Sequence, residues 1–369
     1  MYLIPGGVGG SEIYLRSLLA ALSAIDKRNE YFVFANAETG PDLVPDAANF
    51  KFCPQKVKAA FRPARIMWEQ TCLPQRAASL KLNVLLNGGF TAPLVCGCPQ
   101  VTVFYDLQHK RHPEYYRWYE RPIYNALLYC SARVSSRLIA ISDATAKDLA
   151  TFYPFTSLKT TIAPLGVEGE FENVARRRTP EPFLLTVATL HPHKNLDGLL
   201  RAFRSFRGNH PEFSLVVCGM HGLAAERLHA LRDELGLRDS VRFPGWIERE
   251  AVYDLYARAW AFVYPTLFEG FGLPLLEAMA AGVPTACSAI EPLTTISGNQ
   301  VVLFDPKDQR DMCAAMERIT TDDALRTQLS IGGRRRVMDF SWIATAGKTL
   351  STLLAAAALE PTSEGSRVA

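Results

Sequence analysis

Short apolar runs punctuate this chain at fairly regular intervals, and several are separated by stretches with the periodicity of an amphipathic helix. In the first half they fall at residues 31–35, 84–86, 101–105, 138–141 and 161–163. In the second they fall at 183–188, 215–218, 241–243, 261–264, 285–287 and 301–304. Runs this short and this uniformly apolar suit strands buried on both faces, and strands alternating with helices assemble into parallel sheets covered by helices. The expected fold class is α/β. A length of 369 residues exceeds one typical core and suits two domains. The first is expected over 1–172 and the second over 183–340, joined by a linker at 173–182 that is polar, charged and closed by Pro180 and Pro182. A helix over 341–359 is placed to cross back to the first domain, and the tail 360–369 has too little apolar surface to order itself.

Composition narrows the class. With 48% hydrophobic and 21% charged residues, the chain reads as a soluble globular protein. Its start lacks a basic flank followed by an apolar core, and no run approaches the roughly 18 apolar residues of a membrane span, so the cytoplasm is the expected compartment. The eight cysteines are scattered, and Cys96 and Cys98 have no histidine or second pair nearby, which argues against a disulfide framework or a zinc site. A net charge of +3 hides a local excess, because residues 51–137 hold thirteen Lys and Arg against four acids. Phe61, Met67 and Trp68 accompany one basic cluster, and Tyr115, Tyr116, Trp118 and Tyr119 accompany another. Such a surface suits peripheral contact with anionic lipid at the inner membrane face, at about 1 kcal/mol per basic residue near the surface. An ordinary solvated face is the alternative. Nucleic acid is not an expected partner.

The richest stretch runs from Phe268 to Pro284 and reads as loop, helix start, helix stop and strand. Gly270 and Gly272 allow a sharp turn and close approach to a ligand, and Pro274 suits the first helical position. The free amides of that helix start and the positive end of its dipole favour an anion. Glu269 precedes the helix and Glu277 is expected in its first turn, so carboxylates flank the anion site. A sugar on a ribosyl diphosphate meets both needs, with phosphates for the amides and hydroxyls for the glutamates. The plainer reading is a loop and a short core helix whose glutamates are merely solvated.

With seven residues between Glu269 and Glu277, the frame EGFGLPLLEAMAAGVP resembles the signature of the retaining GT-B glycosyltransferases, a large family that includes bacterial mannosyltransferases of polysaccharide assembly. Further segments match in order from Gly6 to about Trp342. The resemblance implies two Rossmann-like domains facing across a cleft, with the nucleotide mostly on the second and the acceptor on the first. It implies that Glu269 orients the donor sugar, that Glu277 holds the ribose, and that the backbone of Gly270, Phe271, Gly272 and Leu273 meets the diphosphate. Lys194, where the first strand of the second half meets a helix, is placed to neutralise the leaving group. Family members often carry an arginine in this segment, where this chain has Thr189 and His193.

Gly219 opens a turn suited to close approach of the nucleotide. Trp246 and Ile247 lie in a loop resembling the base-binding loop, where Trp246 either faces the base or packs beneath. Gly7, Gly9 and Gly10 resemble the first glycine-rich loop, which lies against the donor's phosphates and sugar. Asp106 ends a strand at the expected reaction centre. Tyr105 precedes it where the family commonly has histidine, and His109 and His112 are candidates to substitute. No metal is required, no Asp-x-Asp triplet occurs, and no cofactor is expected, the GDP- or UDP-linked sugar being a co-substrate. GDP-mannose is slightly favoured, with a saccharide or lipid-linked saccharide as acceptor in cell-surface polysaccharide synthesis.

The first glycine loop should follow a central strand, yet about four residues precede Pro5, which leads to the expectation that the natural start lies upstream. Two rivals stand. A non-catalytic nucleotide-sugar binder would keep Glu277 and the base loop. An NAD-dependent oxidoreductase would need an acidic ribose ligand after the second strand, where Asn36 and Ala37 stand instead.

Overall fold

The computed structural model describes residues 9–177 and 179–359. The chain forms two compact units, one leaving at Gly166 and resuming at Ser341, the other running from Val167 to Phe340.

In the first unit, β1 (Tyr31–Ala35) pairs in parallel with β2 (Phe50–Pro54), and the Tyr31 and Phe50 rings stack at 4.4 Å. The sequence reading had no strand at 50–54. A separate parallel sheet takes β3 (Leu85–Asn87), β4 (Gln100–Phe104), β5 (Arg137–Ala140) and β6 (Thr160–Ile162) in that order. Every residue of β4 is buried, which accounts for its unbroken apolar character. Among the described residues, β1 pairs only with β2 and β3 only with β4. The expectation of a truncated first strand falls on residues outside those described, as does that of a disordered tail at 360–369.

The helix Gly9–Ile25 buries Tyr14, Leu18, Leu19 and Leu22 at helical spacing. It packs against the C-terminal helix Trp342–Ala357, with Tyr14 edge-on to Trp342 at 6.0 Å. That last helix also reaches β4, β5 and β6, so the end of the described chain completes the first unit. Among the described residues no helix is long and apolar enough to cross a membrane.

The second unit holds one parallel sheet of β7 (Glu181–Val187), β8 (Ser214–Cys218), β9 (Val241–Gly245), β10 (Ala259–Tyr264), β11 (Thr285–Ser288) and β12 (Val302–Phe304). Its spatial order is β9-β8-β7-β10-β11-β12, the doubly wound order, whose direction of winding reverses between β7 and β10. Leu184, Leu215, Val217 and Val263 meet Leu199, Leu200, Phe203 and Phe206 of the helix Leu196–Asn209 in one core. Burial of each such side chain contributes ~1.5–3 kcal/mol.

The linker expected at 173–182 is corrected. The chain passes between units at Gly166 and Val167, and the polar stretch after Asn173 is built into the second unit. The Arg176 Nη1 donates to the carbonyls of Tyr256 at 2.8 Å and Ala259 at 2.6 Å, and the Arg177 N–H donates to Ala257 at 3.1 Å. These arginines satisfy carbonyls at the C-terminal end of the helix Arg249–Arg258, where positive charge is favoured. Their charge resembles that of a solvated linker.

Candidate functional site

Where winding reverses in an open parallel sheet, the loops leave to opposite faces and a crevice opens at the C-terminal edge. Here the bounding loops follow β7 and β10, and both carry ionisable groups. After β7 the chain makes a turn at Pro192–Lys194 and then takes a left-handed conformation at Asn195, with φ of 52°. The Asn195 side-chain amide donates to the carbonyls of Pro265 at 3.1 Å and Pro306 at 2.7 Å, tying this loop to those after β10 and β12. The Leu267 N–H donates to the His193 carbonyl at 2.7 Å, and the His193 ring stacks on His191 at 5.8 Å.

So fixed, Lys194 places Nζ 2.5 Å from Glu269 Oε1 and 3.3 Å from the Tyr264 hydroxyl. The Tyr264 hydroxyl donates to the same Glu269 oxygen at 2.7 Å. Burial by itself would raise the Glu269 pKa, but the Lys194 charge and the hydrogen bonds from Lys194 and Tyr264 outweigh it and hold the carboxyl below its ordinary value. Burial first, and then the neighbouring Glu269, push the Tyr264 hydroxyl well above its ordinary range, so it remains a donor. An ammonium has three N–H donors. With one directed at Glu269 and one at Tyr264, a single donor is left for an oxygen in the crevice.

Glu277 lies deeper than expected. The helix begins at Leu273, one residue before Pro274, so Glu277 falls in its second turn, with the side chain 5% exposed. Arg249 Nη2 is 2.7 Å from its Oε1, and the Tyr256 hydroxyl is 3.2 Å from its Oε2. Burial raises the Glu277 pKa; Arg249 opposes that rise without cancelling it, and Glu168 adds to it.

Between the glutamates, Gly272 caps the helix at φ of 110°, and a Cβ there would come within 2.5 Å of Leu293 Cδ2. The positive φ calls for glycine, and a Cβ would also force the buried Leu293 side chain to shift. Phe271 and Leu273 are buried, the former edge-on to Phe340 at 6.0 Å, so their side chains belong to the core beneath the loop. Gly219 is pressed equally hard, at φ of 151°, with a Cβ position 2.1 Å from the Ala188 carbonyl oxygen. Its N–H donates to the Gly245 carbonyl at 3.1 Å and the Leu190 N–H to Met220 at 3.0 Å, which joins the loops after β7, β8 and β9 along one edge. Trp246 is 54% exposed and does not pack beneath its loop, while Ile247 is half-buried.

The remaining candidates belong to the first unit. Gly9 and Gly10 are exposed at the start of the first helix, and Gly7 lies outside the described residues. Asp106 follows β4 and accepts the Gln108 N–H at 2.8 Å, closing a local turn. His109 is corrected as a reaction-centre candidate, because the helix Gln108–Arg111 turns it into the core, where it is 5% exposed with Nε2 3.4 Å from the Tyr153 hydroxyl. Burial and then Lys110 lower its pKa to about 4, so it is neutral at pH 7. His112 pairs with Glu114 at 2.9 Å. The Tyr105 hydroxyl donates to the Gly88 carbonyl at 2.5 Å, and its ring meets Tyr14 and Phe90.

Sequence reasoning missed Tyr264, Arg249, Tyr256 and Glu168. Tyr264 read only as the last apolar residue of a strand, although a tyrosine ending a buried strand at a ligand edge carries a polar tip to that edge.

A lysine–glutamate pair at the switch point of a doubly wound sheet, beside a glycine-capped helix start, marks this edge as the candidate ligand site of the unit. The pattern of glycosyl transferases group 1 matches residues 168–336, and that of Glycosyltransferase Family 4 matches residues 8–171. The chain belongs to the group 1 glycosyltransferases and has the GT-B class of fold, built from parallel-sheet α/β units. O-antigen chain mannosyltransferase B of Escherichia coli is 28% identical over 263 residues, covering 66% of each chain. The serotype-specific mannosyltransferase WbdA of Escherichia coli is 33% identical over 172 residues, 46% of this chain but 21% of that one. The chain thus spans about two thirds of the first relative and a fifth of the second. Among solved structures, sucrose-phosphate synthase from Thermosynechococcus elongatus aligns with a TM-score of 0.75 at 21% identity, covering 95% of this chain and 94% of that one.

Proposed function

We propose that this protein transfers a sugar, with retention of anomeric configuration and without a metal, from a nucleoside diphosphate donor to a hydroxyl of a saccharide or lipid-linked saccharide in cell-surface polysaccharide synthesis. The observation that carries the reading is the Lys194–Glu269–Tyr264 cluster at the switch point. In the reaction the bond from the anomeric carbon to the diphosphate oxygen breaks, and the acceptor oxygen bonds to the same face. The acceptor proton passes to the departing phosphate oxygen. Lys194 and the amides at Gly272 stabilise charge developing on the diphosphate, which is where preorganised donors act most strongly. Glu269, kept ionised, accepts hydrogen bonds from the donor sugar, and Glu277 accepts them from the ribose. Relatives named as mannosyltransferases support mannose as the transferred sugar, and GDP-mannose is the donor proposed.

Calorimetric titration with GDP, UDP, NAD and ADP tests the site, followed by turnover assays with the sugar nucleotides of the preferred base. Binding of GDP or UDP is expected; binding of NAD alone would overturn the reading. Tyr105 favours a second reading, a nucleotide-sugar binder without turnover, because it occupies the family's histidine position with its hydroxyl committed to Gly88. Tight donor binding with neither transfer nor donor hydrolysis would select it.

The acceptor side fits a lipid surface. Phe61, Met67, Trp118 and Ile123 are exposed next to Arg62, Arg65, Arg117 and Arg121, and Arg62 acts electrostatically on Tyr116, which brings the basic segments together. Co-sedimentation with anionic but not neutral vesicles is expected at moderate salt. Binding to neither removes the membrane from the proposal.

A further inference from the structure

Glu277 is held by a network that reaches the base loop. Arg249 opens the helix that follows Gly245–Glu248, and its guanidinium lies between carboxylates, with Nη2 2.7 Å from Glu277 Oε1 and Nε 3.0 Å from Glu168 Oε2. The Tyr253 hydroxyl donates to that same Glu168 oxygen at 3.0 Å, and the guanidinium carbon sits 4.7 Å from the centre of the Phe171 ring. An arginine clamped by an anchored carboxylate and an aromatic face has little freedom to turn.

We propose that Arg249 is a positioning residue for the donor's ribose: clamped by Glu168 and Phe171, it orients Glu277 so that the carboxylate can accept both ribose hydroxyls. This rests on the donor-site reading above. The chemistry is a count of lone pairs. A carboxylate offers about four acceptor sites. Arg249 occupies one on Oε1 and Tyr256 one on Oε2, which leaves a site on each oxygen, the arrangement a vicinal diol requires. The counter-charge matters as much as the geometry. Glu277 is buried and shares Arg249 with a second carboxylate, so removing the guanidinium would favour the protonated acid. A protonated acid loses acceptor capacity on one oxygen. Because Arg249 follows the base loop directly, base contact and ribose contact are also joined through one helix start.

The test compares GDP and UDP with their 2′,3′-dideoxy counterparts by calorimetry, on the unaltered protein and on Arg249→Ala, Arg249→Lys and Glu277→Gln, each checked for folding by its melting curve. The unaltered protein is expected to favour the ribose form of its preferred nucleotide by about tenfold, the worth of hydrogen bonds to a charged group. In Arg249→Ala and Glu277→Gln that preference should collapse while affinity for the dideoxy form holds. Arg249→Lys should recover part of it. If Arg249→Ala does not fold, Arg249→Lys and Glu168→Gln carry the comparison, each expected to narrow the ratio. An unchanged ratio in the Arg249 variants, or equal weakening of both ligands with no recovery by lysine, overturns the role of Arg249 and leaves the donor site standing. No binding of either nucleoside diphosphate by the unaltered protein overturns the donor site and this assignment with it.

Discussion

Lys194 carries more than one function, and its removal should be felt at each. It neutralises a buried carboxylate in the resting protein and, in the proposed reaction, the diphosphate as it leaves. Lys194→Ala is expected to slow transfer at saturating donor by about 10²-fold, the scale of losing one preorganised electrostatic contact. Steady-state kinetics checks this, and a turnover within threefold of the unaltered protein would remove Lys194 from the chemistry. The pair also sets an acid limit. A folded carboxyl held below its ordinary pKa contributes stability in full above that value, and the contribution fades as pH falls through the lowered one.

His109 acts at higher pH. Its ring protonates near 6.5 when unfolded but only at about 4 when folded, so between these values the unfolded chain binds more protons and stability decreases as the pH is lowered. Melting temperature measured from pH 7 to pH 4 should drop more steeply for the unaltered protein than for His109→Gln. Parallel curves would mean the ring is not buried neutral.

At the scale of elements, glycines give predictions of opposite sign. Gly219→Ala presses a methyl group into the Ala188 carbonyl at a positive φ, and should cost at least about 2 kcal/mol in denaturant unfolding. Gly208→Ala lies on an exposed helix position with open space at its Cβ, and should stabilise by about 0.5–1 kcal/mol. Equal effects would contradict the packing of the loop edge. Continuous burial made β4 and the last four residues of β10 legible, whereas β1 and β6 were legible from apolar and β-branched residue types although most of their residues are only half-buried. β2 stayed hidden because Lys51 interrupts the apolar residues Phe50, Phe52 and Cys53 in a run of five that ends in proline. Of the candidate site, Gly272 was legible because a positive φ dictates the residue type, and Glu269 and Lys194, which the structure pairs, were legible from their places in the motif and at the sheet edge. It was illegible where folding supplies the partner: Arg249 lies 28 positions from Glu277, and no periodicity links them. His109 was misjudged for a related reason, since one short turn decides whether a loop histidine faces solvent or core.

For the whole molecule, Lys194, Glu269, Gly272 and Glu277 lie within one continuous stretch, Val167–Phe340, with its own sheet and core. Expressed alone, that stretch is expected to fold and to bind the preferred nucleoside diphosphate with an affinity close to that of the full chain, without transferring sugar. Thermal melting and calorimetry would check it. A folded fragment that binds no nucleotide would show that the first unit supplies part of the donor site.

Gly166 lies against Ser341 and Trp342, where a Cβ would meet the Trp342 nitrogen at 2.2 Å, so the chain departs from and returns to the first unit at adjoining points. During translation, the ribosome therefore opens one unit, finishes another, and only afterwards delivers the helix that closes the first. A premature stop codon just after Phe340 would spare Lys194, Glu269 and Glu277 yet strip Trp342 from Tyr14 and the packed partner from the first helix. Such a product would hold a finished second unit tethered to an incomplete first one, a state that chaperones and proteases recognise.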